Sequence, residues 1–242
     1  MDVAESLGSF RSITEKLRDG VSGRADTVLI GLNWTLVAGP LGVGLSHSPV
    51  RGTSGCSGLP MPGSYSGEKL TKLAELTKSN NVFETAIGYA ALNAHYNRFD
   101  LKGQEINGLD MVEDHGEKTV VIGKFPGLSR RLPNAAIIER NPGPGCYPEE
   151  AAELLLPNAK QVIITASTIS NGSIELLLKF AKNAFVVIVG PSAPLSTKLF
   201  DFGVDIISGF VTINTKAIIH TVMEGGTVAA MRPYGRFLTL KR

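Results

Sequence analysis

Cysteine, long apolar runs and clustered charge are what this chain has least of. Its 242 residues contain two cysteines, Cys56 and Cys146. Two cysteines at that distance build neither a disulfide framework nor a Cys-x-x-Cys metal motif, so a reduced, cytoplasmic protein is expected. No apolar run approaches the ~20 residues of a membrane span. The opening stretch, MDVAESLGSF, is acidic and polar, unlike a signal peptide. A membrane partner is therefore not expected. The net charge is +2, and tight basic runs are confined to Arg130-Arg131 and Lys241-Arg242. Nucleic-acid surfaces usually carry a basic stripe, so a nucleic-acid partner is not expected either. Gly-x-Gly-x-x-Gly and the Walker lysine loop are absent, which argues against the standard dinucleotide and triphosphate sites. The histidines (His47, His95, His115 and His220) show no metal-binding spacing at i, i+3 or i, i+4. No paired carboxylates and no nucleophile triad stand out.

What is present is a core. Hydrophobic residues make up 43% of the chain and charged residues 19%, a globular composition. The pattern changes near residue 117, which suggests an α+β domain over 1–116 and an α/β domain over 117–242. In the first part, residues 3–17 read as a helix. Residues 27–38 read as one strand, and Gly42–Ser48 as a short second strand inside a Gly/Ser/Pro-rich loop. Ser66 is expected to cap a helix carrying Leu70, Leu73 and Leu76 on one face. Asn81 and Glu84 resemble a capping box for the next helix. Its Gly88, Ala90, Ala91 and Ala94 would admit a close neighbour, within the chain or across a homodimer. Asn93 is the polar exception on that helix.

From Lys118 onward, five short apolar segments alternate with helical stretches: KTVVIGKF, NAAIIER, QVIITAS, AFVVIVG and VDIISGF. Strands that read as continuous apolar runs are buried on both faces, which means a parallel sheet covered by helices. The fold class expected is α/β. Ligands of such sheets bind beyond the carboxyl ends of the strands. Gly123, Lys124, Phe125 and Pro126 follow the first strand. Glu139 follows the second, sixteen residues after Gly123. It sits where an acid accepts ribose hydroxyls in Rossmann-like sheets. Ser167, Thr168, Asn171 and Gly172 follow the third, in a junction with more short polar side chains than a helix cap requires. Gly190, Pro191 and Ser192 follow the fourth. Backbone N–H groups at the third junction would suit an anion or a polarised carbonyl.

Five phrases in order, GYAALNA, VIGKFP, IIER, ITASTISNGSIELLL and VGPSAPL, resemble the heavy-metal chelation family, a family of unknown function. The resemblance implies an enolase-N-terminal-like α+β domain followed by a Rossmann-like domain, with the site between them. It adds Gly44, His47 and Asn93 from the first part to the ligand-binding set. It implies a small-molecule ligand and, as cofactor, a metal ion or metal chelate. The family often has histidine after Gly123. Lys124 stands there in this chain, which weakens any acid–base or metal role for the position.

Three functions fit these residues. One is a small-molecule-binding protein, in its enzymatic form condensing or hydrolysing a flavin-, pterin- or metal-chelator-like compound, with Lys124 and Glu139 the catalytic candidates. The second is a non-catalytic carrier or sensor of a metal or its chelate. The third is an S-adenosylmethionine-type nucleotide binder. A direct metal site would need His47, Cys56 and Cys146 to converge from separate loops.

Overall fold

A computed structural model describes residues 12–49 and 58–242. The start of the expected 3–17 helix and Cys56 lie outside them. The helix α1 spans Ile13–Arg18, and Ser12 and Glu15 form a reciprocal capping box at its start.

The stretch 27–38, expected as one strand, is two. Strands β1 (Thr27–Ile30) and β2 (Trp34–Ala38) form an antiparallel hairpin, and β3 (Val43–His47) continues the sheet on the other edge of β2. The apolar alternation runs unbroken through the turn, which hides it. The turn is closed by the Gly31 N–H donating to Trp34 O at 2.9 Å.

Helices α2 (Leu70–Glu75) and α3 (Val82–Tyr96) follow. Ser66 does not cap α2. Its hydroxyl instead accepts from the Val28 N–H at 3.0 Å, tying the loop to β1. Asn81 does cap α3, accepting from Phe83 N and Glu84 N. The box is not reciprocal, because Glu84 accepts from Tyr65 Oη and Ser79 Oγ. The small-residue face of α3 is filled within the chain. A Cβ on Gly44 of β3 would stand 2.0 Å from Ala90 O, so only glycine lets that strand lie on the helix.

All five expected strands form: β4 (Thr119–Ile122), β5 (Ala136–Ile138), β6 (Gln161–Thr165), β7 (Phe185–Val189) and β8 (Ile206–Thr212). They are parallel, and a sixth strand, β9 (Gly235–Lys241), joins antiparallel at the edge. Between them run α4 (Leu128–Arg131), α5 (Ala152–Leu155), α6 (Ser167–Ser170), α7 (Ile174–Phe180), α8 (Thr215–Met223) and α9 (Val228–Met231). The sheet order is β5-β4-β6-β7-β8-β9. Numbered from β4, its parallel part is 2-1-3-4-5, a doubly wound order whose direction reverses between β4 and β6. The protein is thus α/β, with a small antiparallel sheet preceding a mostly parallel one.

Residues 104–112, ahead of the expected division at 117, already lie on the large sheet. Gln104 exchanges backbone hydrogen bonds with Thr239, and Gly108 N donates to Ser208 Oγ at 2.8 Å. The largest apolar cluster is shared, running from Val37, Ile87 and Ala90 to Ile164, Ala166 and Ile188. No helix among the described residues is long and apolar enough to cross a membrane.

Candidate functional site

A cleft of about 500 Å³ opens where the sheet order reverses. Such crevices are the binding sites of doubly wound sheets, because adjacent crossovers leave to opposite faces and part above the strand ends. Its floor is Ile122 and Ile138, the last residues of β4 and β5. The end of β3 contributes Ser46 and His47, and the first turn of α3 contributes Val82, Thr85 and Ala86. The polar rim is Glu139, Arg140, Asn141, Glu149, Thr165, Ser167, Thr168, Ser170, Asn171 and Ser173.

Glu139 leaves the end of β5 beside the turn after β4. Its Oε2 accepts from Lys124 N and its Oε1 from Arg140 N, each at 2.9 Å. Two backbone donors thus fix the carboxylate at the rim. Gly123 allows that turn, with φ +90° and no room for a Cβ, which would come within 2.8 Å of Thr165 Cγ2. Arg140 is held by Glu149 through Nε and one terminal nitrogen, each at 3.2 Å. That hydrogen-bonded pair raises the guanidinium's pKa above its ordinary value.

The polar run after β6 is built mostly on itself. Thr168 Oγ1 donates to Thr165 O at 2.7 Å, and Ser170 Oγ to Ser167 O at 2.9 Å. Thr165 and Ser167 share a hydrogen bond. Asn171 Oδ1 accepts from both the N–H and the hydroxyl of Ser173, closing the turn into α7.

Of the residues singled out from sequence, the cleft gathers His47, Gly123, Glu139, Ser167, Thr168 and Asn171. The others lie elsewhere. Gly44 is buried under α3, and Gly172 ends α6 in a left-handed turn. Lys124 shares only its backbone with the site, and its side chain is exposed, as is Pro126. Phe125 packs on the far cluster around Leu128 and Ile163. Asn93 Nδ2 donates to Leu45 O at 2.7 Å and Ser192 O at 2.9 Å. Ser192 is thus tied to α3, and neither it nor Gly190 and Pro191 lines the cleft. Val82, Thr85, Ala86 and Glu149 went unread as site residues, and they come from elements that only packing brings there; Ser173 went unread too, although it directly follows the marked run. Ile122 and Ile138 were legible as the ends of their strands.

The metal candidates do not assemble among the described residues. His47 is in the cleft, and Cys146 sits outside its lining. No three His, Cys, Asp or Glu side chains among the described residues could hold a metal ion together. Soft heavy metals favour thiolate and imidazole ligands. The described lining offers one imidazole among hydroxyl, carboxylate and amide groups, a poor match to a bare heavy-metal ion.

Comparison with known proteins agrees with this architecture. A family model described as "Putative heavy-metal chelation" matches residues 107–241, and a second with the same description matches 15–96. An uncharacterized protein of Methanocaldococcus jannaschii is 26% identical over 167 residues, covering 63% of this chain and 64% of its own. The match thus spans under two thirds of that relative's length. A solved protein of unknown function from Desulfitobacterium hafniense superposes with a TM-score of 0.83 at 27% identity, over 95% of this chain and 97% of that one. One from Pyrococcus horikoshii gives a TM-score of 0.78 at 18% identity, over 96% and 100%, and shows a common fold. On the first family match, which takes in more than half of the sequence, the chain belongs to the family described as "Putative heavy-metal chelation".

Proposed function

We propose that the chain binds a small polar molecule in the switch-point cleft, and that metal reaches the protein as a chelate of that molecule. The family's description supports metal-related binding in general terms. The observation that carries the finer reading is the convergence of Glu139, Asn171 and the hydroxyl run over an apolar floor of Ile122 and Ile138. A cleft of about 500 Å³ falls within the usual range for small-molecule sites. An aliphatic floor with polar groups at the edge suits a flavin- or pterin-like ring or an aromatic chelator. The metal would then be carried by the ligand's own donors, which removes the need for a protein cage.

Carriage or sensing requires nothing further. Condensation or hydrolysis of the same ligand would need a proton acceptor, and Glu139, Glu149 and His47 all line the cleft. A second reading, an adenosyl-type ligand, draws on Glu139 standing at the end of the strand next to the first, where ribose hydroxyls are held in related sheets.

The test is native mass spectrometry of protein purified without chelators, followed by denaturation and elemental analysis. An organic molecule released on denaturation, with lower occupancy in Glu139→Gln, is the expected result. A stoichiometric metal with no organic partner would overturn the reading.

A further inference from the structure

Phosphate sites in doubly wound sheets use free backbone N–H groups at the strand-to-helix junctions. Here most of those donors are engaged, the Ser167 and Thr168 amides at the start of the four-residue helix α6 being the exceptions. After β4, Gly123 N donates to Ile138 O and Lys124 N to Glu139 Oε2. After β6, Ala166 N donates to Val189 O, Ile169 N to Ala166 O, Asn171 N to Ser167 O and Gly172 N to Ile169 O. Ser173 N donates to Asn171 Oδ1. Of the amides at the third junction, only those of Ser167 and Thr168 are left to meet a ligand.

Most of the lining hydroxyls repeat the pattern, while the side-chain amides of Asn141 and Asn171 keep their N–H groups free. A hydroxyl has one proton to donate and lone pairs to accept with. The protons of Thr85, Thr168, Ser170 and Ser173 all go to oxygens of their own segments. Those hydroxyls can face a ligand only as acceptors. Glu139 accepts one backbone N–H on each oxygen, which leaves each oxygen a lone pair. Two carboxylates, Glu139 and Glu149, against one guanidinium, Arg140, give the lining a formal charge of −1 before His47 is counted. Arg140 is itself engaged by Glu149. An independent sign of a missing partner is Ser46. It lines the cleft, is fully buried, and its Oγ has no hydrogen-bond partner.

Resting on the small-molecule reading above, we infer that the cleft takes a neutral or cationic molecule presenting a row of hydrogen-bond donors, and discriminates against phosphate and carboxylate anions. The donors are vicinal hydroxyls or amino and imino N–H groups. They meet the lone pairs of Glu139 and of the Thr168 and Ser170 hydroxyls. Ser46 completes the set from β3.

The experiment uses two matched pairs of probes, D-ribose against D-ribose 5-phosphate and 2,4-diaminopyrimidine against orotate. Binding to the full chain is followed by the NMR shifts of the Lys124 and Arg140 amides, which bond to Glu139. The expected result is binding by the ribose or the diaminopyrimidine, at least tenfold tighter than by its anionic counterpart. Which of the two binds tells hydroxyl from N–H recognition. Glu139→Gln should weaken that binding at least tenfold. Ser46→Ala, which removes an unpartnered group, should weaken it while leaving the melting temperature unchanged or higher. Tighter binding by either anion would overturn the inference and leave the small-molecule reading standing. Unchanged binding in both variants would overturn it too. Silence from all four probes would sink the small-molecule reading and this inference with it.

Discussion

At the scale of single residues, burial and partners decide what a polar side chain is for. Asn93 is 2% exposed, and both hydrogens of its amide go to buried carbonyls, one on β3 and one in the loop after β7. Asn93→Ala leaves those carbonyls without this partner. An unsatisfied buried group costs about 1–3 kcal/mol, so urea denaturation should show a loss of about that size or somewhat more. A loss near zero would mean the brace is replaced by water. His95 is the other informative residue. Burial holds its pKa below the ordinary imidazole value, and nearby Lys198 and Arg98 act the same way, against a hydrogen bond with the Ser22 backbone that raises it. A lowered folded pKa means the unfolded chain takes up the proton first. The stability this group contributes is complete above its unfolded value and is lost as pH falls through the folded one. NMR titration should place the His95 midpoint below that of an exposed histidine. A midpoint at or above the ordinary value would contradict the packing.

At the scale of elements, the contact between β3 and α3 sets the position of the cleft wall. Ser46 and His47 stand at one end of that contact, and Thr85 and Ala86 at the start of the same helix. Glycine at 44 is what closes it, since a methyl group there would overlap backbone atoms of Ala90, Asn93 and Ala94. Backbone cannot swing aside as a side chain can. Gly44→Ala is therefore expected to cost about 1–3 kcal/mol or more, and to reduce ligand binding by moving Ser46. Thermal denaturation and a binding titration on the same sample check both. If the variant were as stable as the parent, β3 would not lie as close as described. The helix cap Asn81 is the milder control, with a loss of about 1 kcal/mol expected on change to Ala.

For the whole molecule, the question is whether the two sheets unfold together. Asn97 Nδ2 donates to Ala193 O at 3.0 Å and its Oδ1 accepts from Leu195 N at 2.9 Å. Lys198 Nζ reaches the Lys16 carbonyl and Tyr96 Oη. Trp34, the single tryptophan, lies on the small sheet and shares an apolar cluster with Phe210, Ile218 and Met231. With that much packing shared, one cooperative transition is expected. Tryptophan fluorescence reports the small sheet and far-UV circular dichroism the whole. Their urea midpoints should coincide, and a fluorescence transition at clearly lower urea would mean the small sheet unfolds by itself.

The sequence by itself determined the α/β class, the five parallel strands and the importance of the strand ends. Continuous apolar runs such as Val120-Val121-Ile122 and Val162-Ile163-Ile164 can be buried only in a sheet covered on both faces. It also marked Glu139 and the Thr165–Gly172 run, because polar residues collected after strands have few structural uses beyond capping. It did not reveal the β1–β2 turn, whose apolar flanks read straight through, nor β9, whose Gly235–Lys241 stretch mixes charge into an edge strand. Tertiary structure alone decided which marked residues meet. Hydrogen-bond partners are set by distances between segments far apart in sequence. Those distances turned Asn93 and Ser192 into a brace, put Gly44 under a helix, and engaged most of the junction amides that the sequence had left free for an anion.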